Sequence, residues 1–380
     1  MANSSRTLLF FPICLLLIGC NSNQNNPDSS SKIISPSLTN LTVSGYQVRH
    51  TEAQLNYLNS ENYTDTTPYN GNMSVSAPVP VHFEWEANST NPFFVRIYEG
   101  EDLSKPVISY QTEETQFDFY NTKLGATYYA QISSGQLQSK VVSFTTDNVG
   151  PRNLFVEGVE NIRDLGGWCN IKQGMIYRSG RFNEDKKETP TLQITEKGLY
   201  EANNVLKIKT EIDLRKTSTN EVGGLTDKSV LGDNVNYVQL PMAYNGNNIL
   251  TFAGKVSGDT YQYDNPAAIK SFFEILADER NYPIDFHCSI GKDRTGCLAY
   301  LIEGLMGADE EHLMRDYMFT NFANAGMCKP TEITGKYGKT LADYENGDTL
   351  QEKIYNYLSS ENIGVSTTDL DKIINILKVS

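Results

Sequence analysis

The sequence lacks an excess of positive charge and has few cysteines. Its 380 residues include 32 Lys and Arg against 46 Asp and Glu, which gives a formal net charge of −14. A nucleic-acid-binding protein needs a basic face, so this balance argues against a nucleic-acid partner. The six cysteines follow no metal-ligand spacing and no evident disulfide framework, so they predict no metal site.

A hydrophobic run long enough to span a bilayer is also missing from the N-terminus. The apolar run Leu8–Ile18 follows the basic Arg6 and is too short to cross a membrane. Residues 1–19, with a Leu-Ile-Gly-Cys sequence that ends at Cys20, resemble a bacterial lipoprotein signal that is cut before this cysteine. The resemblance implies a lipid on the Cys20 sulfur and an extracytoplasmic place in the cell envelope. Asn21 favours anchoring in the outer membrane if the bacterium has one; an ordinary secretory signal is the alternative.

Behind the signal, the composition changes twice. Residues 20–35 are rich in Asn, Ser and Gln and predict a flexible tether. In residues 36–147, short runs of aromatic and β-branched residues are separated by Gly and Asn turns, which is typical of an all-β sandwich. This pattern resembles an immunoglobulin-like or fibronectin type III module. Such a module would act either as a spacer that holds an enzyme off the membrane or as a ligand-binding module.

The most informative segment is residues 287–296, which read HCSIGKDRTG. Residues 283–287 before it predict a short buried strand, and apolar residues between 298 and 305 recur at helical spacing behind it. A strand, a tight loop and a helix in this order direct backbone N–H groups and the positive end of the helix toward one anion. The segment therefore predicts a loop that wraps around a phosphate group.

Cys288 and Arg294 lie at the two ends of this loop, with five residues between them. A thiol at a helix N-terminus beside an arginine can have its pKa lowered to roughly 3.5–7.5, which makes Cys288 the candidate nucleophile. The planar fork of Arg294 fits two phosphate oxygens. A buried structural cysteine beside a surface arginine is the alternative. With the loop amides as further donors, the candidate phosphate-binding residues are Ser289, Ile290, Gly291, Lys292 and Arg294.

Three other residues of the segment are candidates for supporting or catalytic parts. Thr295 could donate its hydroxyl to the thiolate, and His287 could brace the loop from behind. The leaving oxygen needs a proton, and Asp293 is the nearest carboxyl that could give it. A structural carboxylate is the alternative for Asp293; in that case Asp259 or Asp264 could approach the site from a later part of the chain.

The segment resembles the signature of the bacterial tyrosine-phosphatase family that also removes phosphate from phosphoinositides. The resemblance implies a dual-specificity-like fold, in which helices flank a central and largely parallel sheet, over residues 153–380. The alternation of strands with amphipathic helices in this part also favours an α/β architecture. Four other segments resemble the family in the same order: Asn161–Gly167, Gly174–Arg181, Ile212–Arg215 with Glu221 behind it, and Asp316-Tyr317 with Asn321 behind it.

Several charged residues of these segments have more than one interpretation. Arg163 and Asp164 are candidate supporting residues. Arg163, Arg178 and Arg181 could form a basic funnel for the substrate, or each could pair with a carboxylate inside the fold. In the resembling family, Lys292 accompanies acceptance of highly charged substrates such as phosphoinositides, whereas a solvated lysine that raises the local potential is the alternative.

Together these features predict a multidomain protein, with an N-terminal all-β sandwich followed by an α/β cysteine-phosphatase domain. We expect it to hydrolyse phosphomonoesters, phosphotyrosine and/or phosphoinositides, through a cysteinyl-phosphate and without a metal or cofactor. Its partners would be a phosphorylated protein or inositol lipid, and the membrane through the lipid on Cys20. The alternatives are an inositol-polyphosphate phosphatase with the same mechanism and a non-catalytic binding lipoprotein.

Overall fold

The computed structural model describes residues 37–44, 50–71, 77–88, 91–184, 192–216, 228–244, 249–255, 262–323, 327–342 and 347–379. Residues 37–380 belong to one compact unit. The predicted signal (1–19), Cys20 and tether (20–35) lie outside the described residues, as do Glu221 and Asp259. In the part of the chain that the structure describes, no helix combines the length and apolar character needed to cross a membrane.

The N-terminal part is rich in strands, which form two antiparallel sheets. Its strands are β1 (Leu38–Ser44), β2 (Val81–Ala87), β3 (Phe93–Glu99), β4 (Ile108–Thr112), β5 (Gln116–Phe119), β6 (Thr127–Ser134), β7 (Leu137–Gln138) and β8 (Val142–Thr145). One sheet has the order β1-β2-β5, and the other has the order β4-β3-β6-β7 with β8 also on β6. Phe83 and Trp85 of β2 join Val95 and Ile132 of the second sheet in one apolar cluster. The strand-rich prediction agrees with this arrangement, and the immunoglobulin-like or fibronectin-like identity stays a prediction.

Residues 50–71, between β1 and β2, depart from the predicted all-β character. Helix α1 (Glu52–Leu58) begins after Thr51, and Thr51 and Gln54 form a reciprocal capping box through their side chains and backbone N–H groups. Tyr57 of α1 is fully buried and belongs to the apolar core of the C-terminal part. This buried ring places the segment against the C-terminal part, and none of its residues belongs to a strand of either sheet.

The C-terminal part is built on a six-stranded sheet of order β13-β12-β16-β11-β10-β9. β13, β12, β16 and β11 are mutually parallel, while β10 and β9 run antiparallel at one edge. The strands are β9 (Arg152–Asn153), β10 (Arg163–Asp164), β11 (Ile176–Ser179), β12 (Thr210–Asp213), β13 (Asn236–Gln239), β14 (Ala253–Lys255), β15 (Gln262–Asp264) and β16 (Ile284–His287). β14 and β15 form a separate antiparallel pair. The predicted α/β character of residues 153–380 is confirmed.

Helices surround this sheet, and one of them is completely buried. They are α2 (Glu196–Tyr200), α3 (Asn265–Leu276), α4 (Arg294–Leu305), α5 (Glu310–Phe319), α6 (Pro330–Glu332), α7 (Gly338–Ala342), α8 (Leu350–Ser359) and α9 (Thr367–Leu377). Every residue of α4 is buried, so its apolar spacing reflects a central helix. Ser366 caps α9, because its side chain accepts from the Asp369 N–H. Asp264 caps α3, because its side chain accepts from the Ala267 N–H.

Three parallel strands end at the same edge of the sheet. Ser179, Asp213 and His287 are the last residues of β11, β12 and β16, and they lie in register with one another. The chain then passes from His287 through the loop 288–293 into α4, which begins at Arg294. The sheet therefore places the loop where the carboxyl ends of strands and the amino end of a buried helix meet.

Candidate active site

The loop after β16 has its carbonyl groups turned outward and held by side chains. Arg181 Nη1 donates to the Ser289 carbonyl at 2.8 Å, Asn161 Nδ2 donates to that of Ile290 at 3.1 Å, and Arg178 Nη2 donates to that of Gly291 at 2.8 Å. In the described residues, no hydrogen bond leaves the backbone N–H groups of residues 289–292. This arrangement leaves the N–H groups to bind an anion inside the loop.

Cys288 is the first residue of the loop, and it is buried. Burial by itself would raise the pKa of its thiol, but the Arg294 guanidinium and the hydroxyl and backbone N–H of Thr295 lower the pKa below its ordinary value. Asp293 opposes this lowering to a smaller degree. A thiol with a lowered pKa at the start of a helix has the character of a nucleophile.

Arg294 is buried over most of its surface and bends back toward the ends of two neighbouring strands. Its Nη1 donates to the Leu214 carbonyl at 3.2 Å and to the Met242 carbonyl at 3.4 Å. These bonds fix the guanidinium next to the thiol. A pocket of about 300 Å³ opens above both groups and is lined by Lys216, Tyr244, Cys288, Ser289, Ile290, Asp293 and Arg294.

A family comparison agrees with this geometry. The model of the tyrosine phosphatase family matches residues 154–375, which is more than half of the chain. The chain belongs to the tyrosine phosphatase family. The prediction of a cysteine-dependent phosphatase is confirmed at the level of the family.

Individual relatives of this family member are distant. A protein of Cupriavidus necator named "Putative tyrosine-protein phosphatase" is 23% identical over 198 residues, which are 46% of this chain and 66% of the relative. The chain thus spans just under two thirds of that relative. The core catalytic domain of the PP-IP phosphatase Siw14 from S. cerevisiae has 18% identity and a TM-score of 0.28, over 47% of this chain and 93% of that chain. A second structure of the Siw14 catalytic core has 17% identity and a TM-score of 0.27, over 45% of this chain and 87% of that chain. Likenesses of this size do not bear on the substrate.

His287 is the residue before Cys288 and ends β16. Its Nε2 is 3.0 Å from Glu211 Oε1, and its Nδ1 is 3.3 Å from the Cys288 carbonyl oxygen. Burial would lower the pKa of His287, but the carboxylates of Asp213 and Glu211 outweigh this effect and raise the pKa to about 9. The imidazole is therefore a cation that donates on both sides, which matches the predicted bracing of the loop.

Glu211, Asp213 and His287 also bring three possible metal-ligand atoms within 4.8 Å of one another. The Arg215 Nε donates to both Asp213 oxygens at 2.9 Å, and the imidazolium occupies the space between the two carboxylates. A metal ion would have to displace two cations that already neutralise the carboxylates. The cluster fits a set of counter-ions for His287 better than it fits a metal site.

The three arginines of the possible basic funnel lie behind the loop and pair with carboxylates. Arg163 Nε donates to Asp316 Oδ1 at 2.6 Å, Arg178 binds the same carboxylate, and Arg181 binds Glu184. All five side chains are buried. Of the two interpretations, the structure shows pairing inside the fold, because a buried guanidinium needs a counter-ion.

Asp164 is fully buried and lies outside the lining of the pocket. Its two oxygens accept from Arg152 Nη1 at 2.6 Å and from the backbone N–H groups of Gly166 and Gly174 at 2.8 and 2.6 Å. These bonds tie β9 to the turn between β10 and β11. Its support for the site is therefore indirect, through the edge of the sheet.

Lys292 points away from the pocket and is not a solvated lysine. Its Nζ donates to the Met327 carbonyl at 2.7 Å and lies 3.8 Å from Glu332 Oε2, and its side chain is only 13% exposed. Because Lys292 lies in the loop close to the thiol, its side chain is expected to contact the substrate. Its ammonium group instead binds Met327 and Glu332 of the neighbouring chain. Its backbone N–H stays available to a phosphate.

The proposed acid Asp293 is half-buried and lines the pocket with the thiol and the guanidinium. Asp264 caps α3, and that role accounts for its carboxylate. Asp259 lies outside the described residues. Among the three carboxyls considered from sequence, Asp293 is the one that the structure places at the pocket.

The roles of several residues in the site could not be predicted from the sequence. Asn161 and Asp316 lie in segments that resemble the family, but their contacts to Ile290 and to two arginines were not expected. Glu211 lies within β12, and nothing in the sequence indicated its hydrogen bond to His287. Lys216 and Tyr244, which line the pocket, belong to no motif.

Proposed function

We propose that this protein is a phosphatase that hydrolyses phosphomonoesters through a cysteinyl-phosphate on Cys288. One observation carries the proposal: a thiol with a lowered pKa lies beside Arg294, at the floor of a pocket and at the start of a buried helix. Thiolate, guanidinium and free amides are the groups that an in-line displacement at phosphorus needs.

The reaction has two steps. First, the Cys288 thiolate forms a bond to phosphorus while the bond to the ester oxygen breaks, and the Asp293 carboxyl gives its proton to that oxygen. Arg294 and the loop amides stabilise the charge on the equatorial phosphate oxygens. Second, a water oxygen attacks phosphorus, the bond between sulfur and phosphorus breaks, and the Asp293 carboxylate takes the proton from the water. Inorganic phosphate and the thiolate result.

The lining of the pocket supports an aromatic phosphate as substrate. Tyr244 is 44% exposed and lines the same pocket as the thiol, so its ring can contact the phenyl group of a phosphotyrosine. Of the side chains that line this pocket, Lys216 and Arg294 carry the positive charges. We propose a phosphorylated protein as the partner. Phosphoinositides and inositol polyphosphates are the alternative substrates, and the kinetic experiment below includes one of each.

The proposed place of action is outside the cytoplasm, with a lipid on Cys20. Its support is the resemblance of residues 1–20 to a lipoprotein signal. Metabolic labelling with a radioactive fatty acid should label the wild-type protein and not a Cys20→Ser variant. Equal labelling of both would refute the anchor without affecting the proposed chemistry.

A comparison of Cys288→Ser with Cys297→Ala tests the chemistry. Both thiols are buried, but the pKa of the Cys288 thiol is lowered, whereas burial raises the pKa of the Cys297 thiol in α4. Cys297 is therefore expected to stay protonated and unreactive. On phosphotyrosine peptide, phosphoinositide and inositol hexakisphosphate with a chelator present, Cys288→Ser should lose at least ~1000-fold in kcat. Cys297→Ala should keep wild-type kcat. Activity that survives in Cys288→Ser would exclude the thiolate mechanism.

A further inference from the structure

Residues 50–71, which we call the insertion segment, lie outside the region that matches the tyrosine phosphatase family. They nevertheless pack into its core. Tyr57 is fully buried, and its ring lies 5.7 Å from that of Phe322. Arg315 of α5 donates to the Tyr57 and Ser60 carbonyls at 3.2 and 2.7 Å. The insertion segment is therefore fixed to the helix that follows α4.

A buried hydrogen bond continues from the insertion segment toward the site. Thr66 Oγ1 accepts from Asn321 Nδ2 at 2.9 Å, and both side chains are 2% exposed. The same amide also holds the backbone on both sides of Cys328: Asn321 Oδ1 accepts from the Cys328 N–H at 2.5 Å, and Nδ2 donates to the Cys328 carbonyl at 3.3 Å. The Thr66 hydroxyl thus fixes the orientation of the amide that positions Cys328.

The chain from Met327 to Tyr337, which we call the supporting segment, contacts the phosphate-binding loop at two points. The Met327 carbonyl accepts from Lys292 Nζ at 2.7 Å, and the Tyr337 hydroxyl donates to the Asp293 carbonyl at 3.3 Å. The Glu332 carboxylate, which accepts from Tyr317 Oη at 2.6 Å, also faces Lys292. The supporting segment therefore sets the position of the loop at its Lys292–Asp293 end.

We propose that Thr66 is a positioning residue of the phosphatase site. Its hydroxyl acts through Asn321 and the supporting segment on the end of the loop that carries Asp293 and leads into Arg294. Without this hydroxyl, an amide proton of Asn321 loses its acceptor in a buried place, and the amide must turn to find another. Cys328, Met327 and the loop then move with it.

This inference gives the N-terminal part a role in catalysis, whereas the sequence suggested either a spacer or a ligand-binding module. It rests on the proposed function, because the site that Thr66 positions is the one that binds phosphate. The contacts join residues 255 positions apart in the sequence, so they exist only when the two parts fold together.

Three variants of the full-length protein test the proposal. Thr66→Val removes the hydroxyl and keeps the shape of the side chain, and Thr66→Ser restores the hydroxyl. The matched control is Thr51→Val, which removes the cap of α1 in the same insertion segment and makes no contact in the chain of bonds to the loop. If Thr66→Val does not fold, Thr66→Ala removes the same hydroxyl.

Each variant is measured in three ways: kcat and KM on an aryl phosphate, the melting temperature, and the rate of iodoacetamide alkylation at Cys288 as a function of pH. In Thr66→Val, kcat should fall about tenfold, within the roughly 100-fold that a 1 Å misplacement can cost. The alkylation profile should shift to higher pH, because Arg294 and Thr295 move away from the thiol. Thr66→Ser and Thr51→Val should keep the wild-type kcat and profile.

Two results would overturn the inference. In the first, Thr66→Val melts at a lower temperature but keeps its kcat and its alkylation profile. In the second, Thr51→Val loses as much kcat as Thr66→Val, which would assign the loss to general destabilisation. If the wild-type protein hydrolyses no phosphomonoester, the proposed function fails, but the alkylation profiles still decide whether Thr66 positions the loop.

Discussion

Gly291 is the residue of the loop at which a single methyl group should have the largest effect. Its φ angle is +70°, and a Cβ atom built there would lie 2.4 Å from the Ser179 carbonyl oxygen and 2.8 Å from the Gly180 nitrogen. The left-handed conformation costs alanine about 1–2 kcal/mol. The clash adds about 1–3 kcal/mol, because both contacts are with backbone at the end of β11, which cannot turn aside.

The backbone strain and the steric clash in the Gly291→Ala variant therefore cost about 2–5 kcal/mol together, and the loop is the part that can move to relieve them. We expect kcat/KM to fall ~100-fold, which corresponds to a displacement of about 1 Å. The control is Gly307→Ala, whose φ of +91° imposes the same backbone strain, while its nearest atom, Gln351 Oε1, is 3.6 Å away. That variant should lose about 1–2 kcal/mol of unfolding free energy and keep its kcat.

Steady-state kinetics on an aryl phosphate and urea unfolding measure both effects. If Gly291→Ala hydrolyses the substrate within twofold of the wild-type rate, the loop geometry described here does not govern catalysis. If Gly307→Ala loses activity as well, backbone strain in general would explain the result, and the contact with Ser179 would not.

Two further predictions concern titrating groups of the site. Asp293→Asn should lower kcat about 100-fold or more on phenyl phosphate and far less on p-nitrophenyl phosphate, which needs no acid; equal losses on both would remove Asp293 from this role. The raised pKa of His287, about 9, should stabilise the fold by up to about 3 kcal/mol below pH ~6.5, and this stabilisation should disappear as the pH rises through 9. Urea unfolding from pH 6 to pH 10 checks this: the difference between wild type and His287→Gln should shrink with rising pH, and a constant difference would contradict it.

The loop and its helix could be predicted from sequence because their signals are local. The strand before Cys288 and the helical spacing from 298 to 305 each depend on residues that are close together in the sequence. The nucleophile and the arginine follow from the same short segment. Local patterns of this kind fix an element and the residues that it carries.

The directions of the charged side chains could not be predicted, because their partners are distant in sequence. Arg178 reaches Asp316 across 138 residues, and His287 reaches Glu211 across 76. Whether a lysine such as Lys292 faces substrate or a carbonyl depends on where the chain at Met327 passes. The insertion segment escaped prediction for the same reason, since a helix of seven residues is stabilised mainly by what it packs against.

These pairings change how the site attracts its substrate. In a sequence with a net charge of −14, several arginines in segments near a phosphate-binding loop suggest a basic funnel that attracts the anionic substrate. In the fold, Arg163 and Arg178 share Asp316 as their counter-ion, and Glu184 neutralises Arg181. The N–H groups of these arginines therefore donate to carboxylates and to loop carbonyls. Each carbonyl that they hold outward turns the neighbouring N–H inward. The arginines behind the loop thus contribute to phosphate binding through the direction of backbone dipoles, which act over a few ångströms and are barely screened by salt.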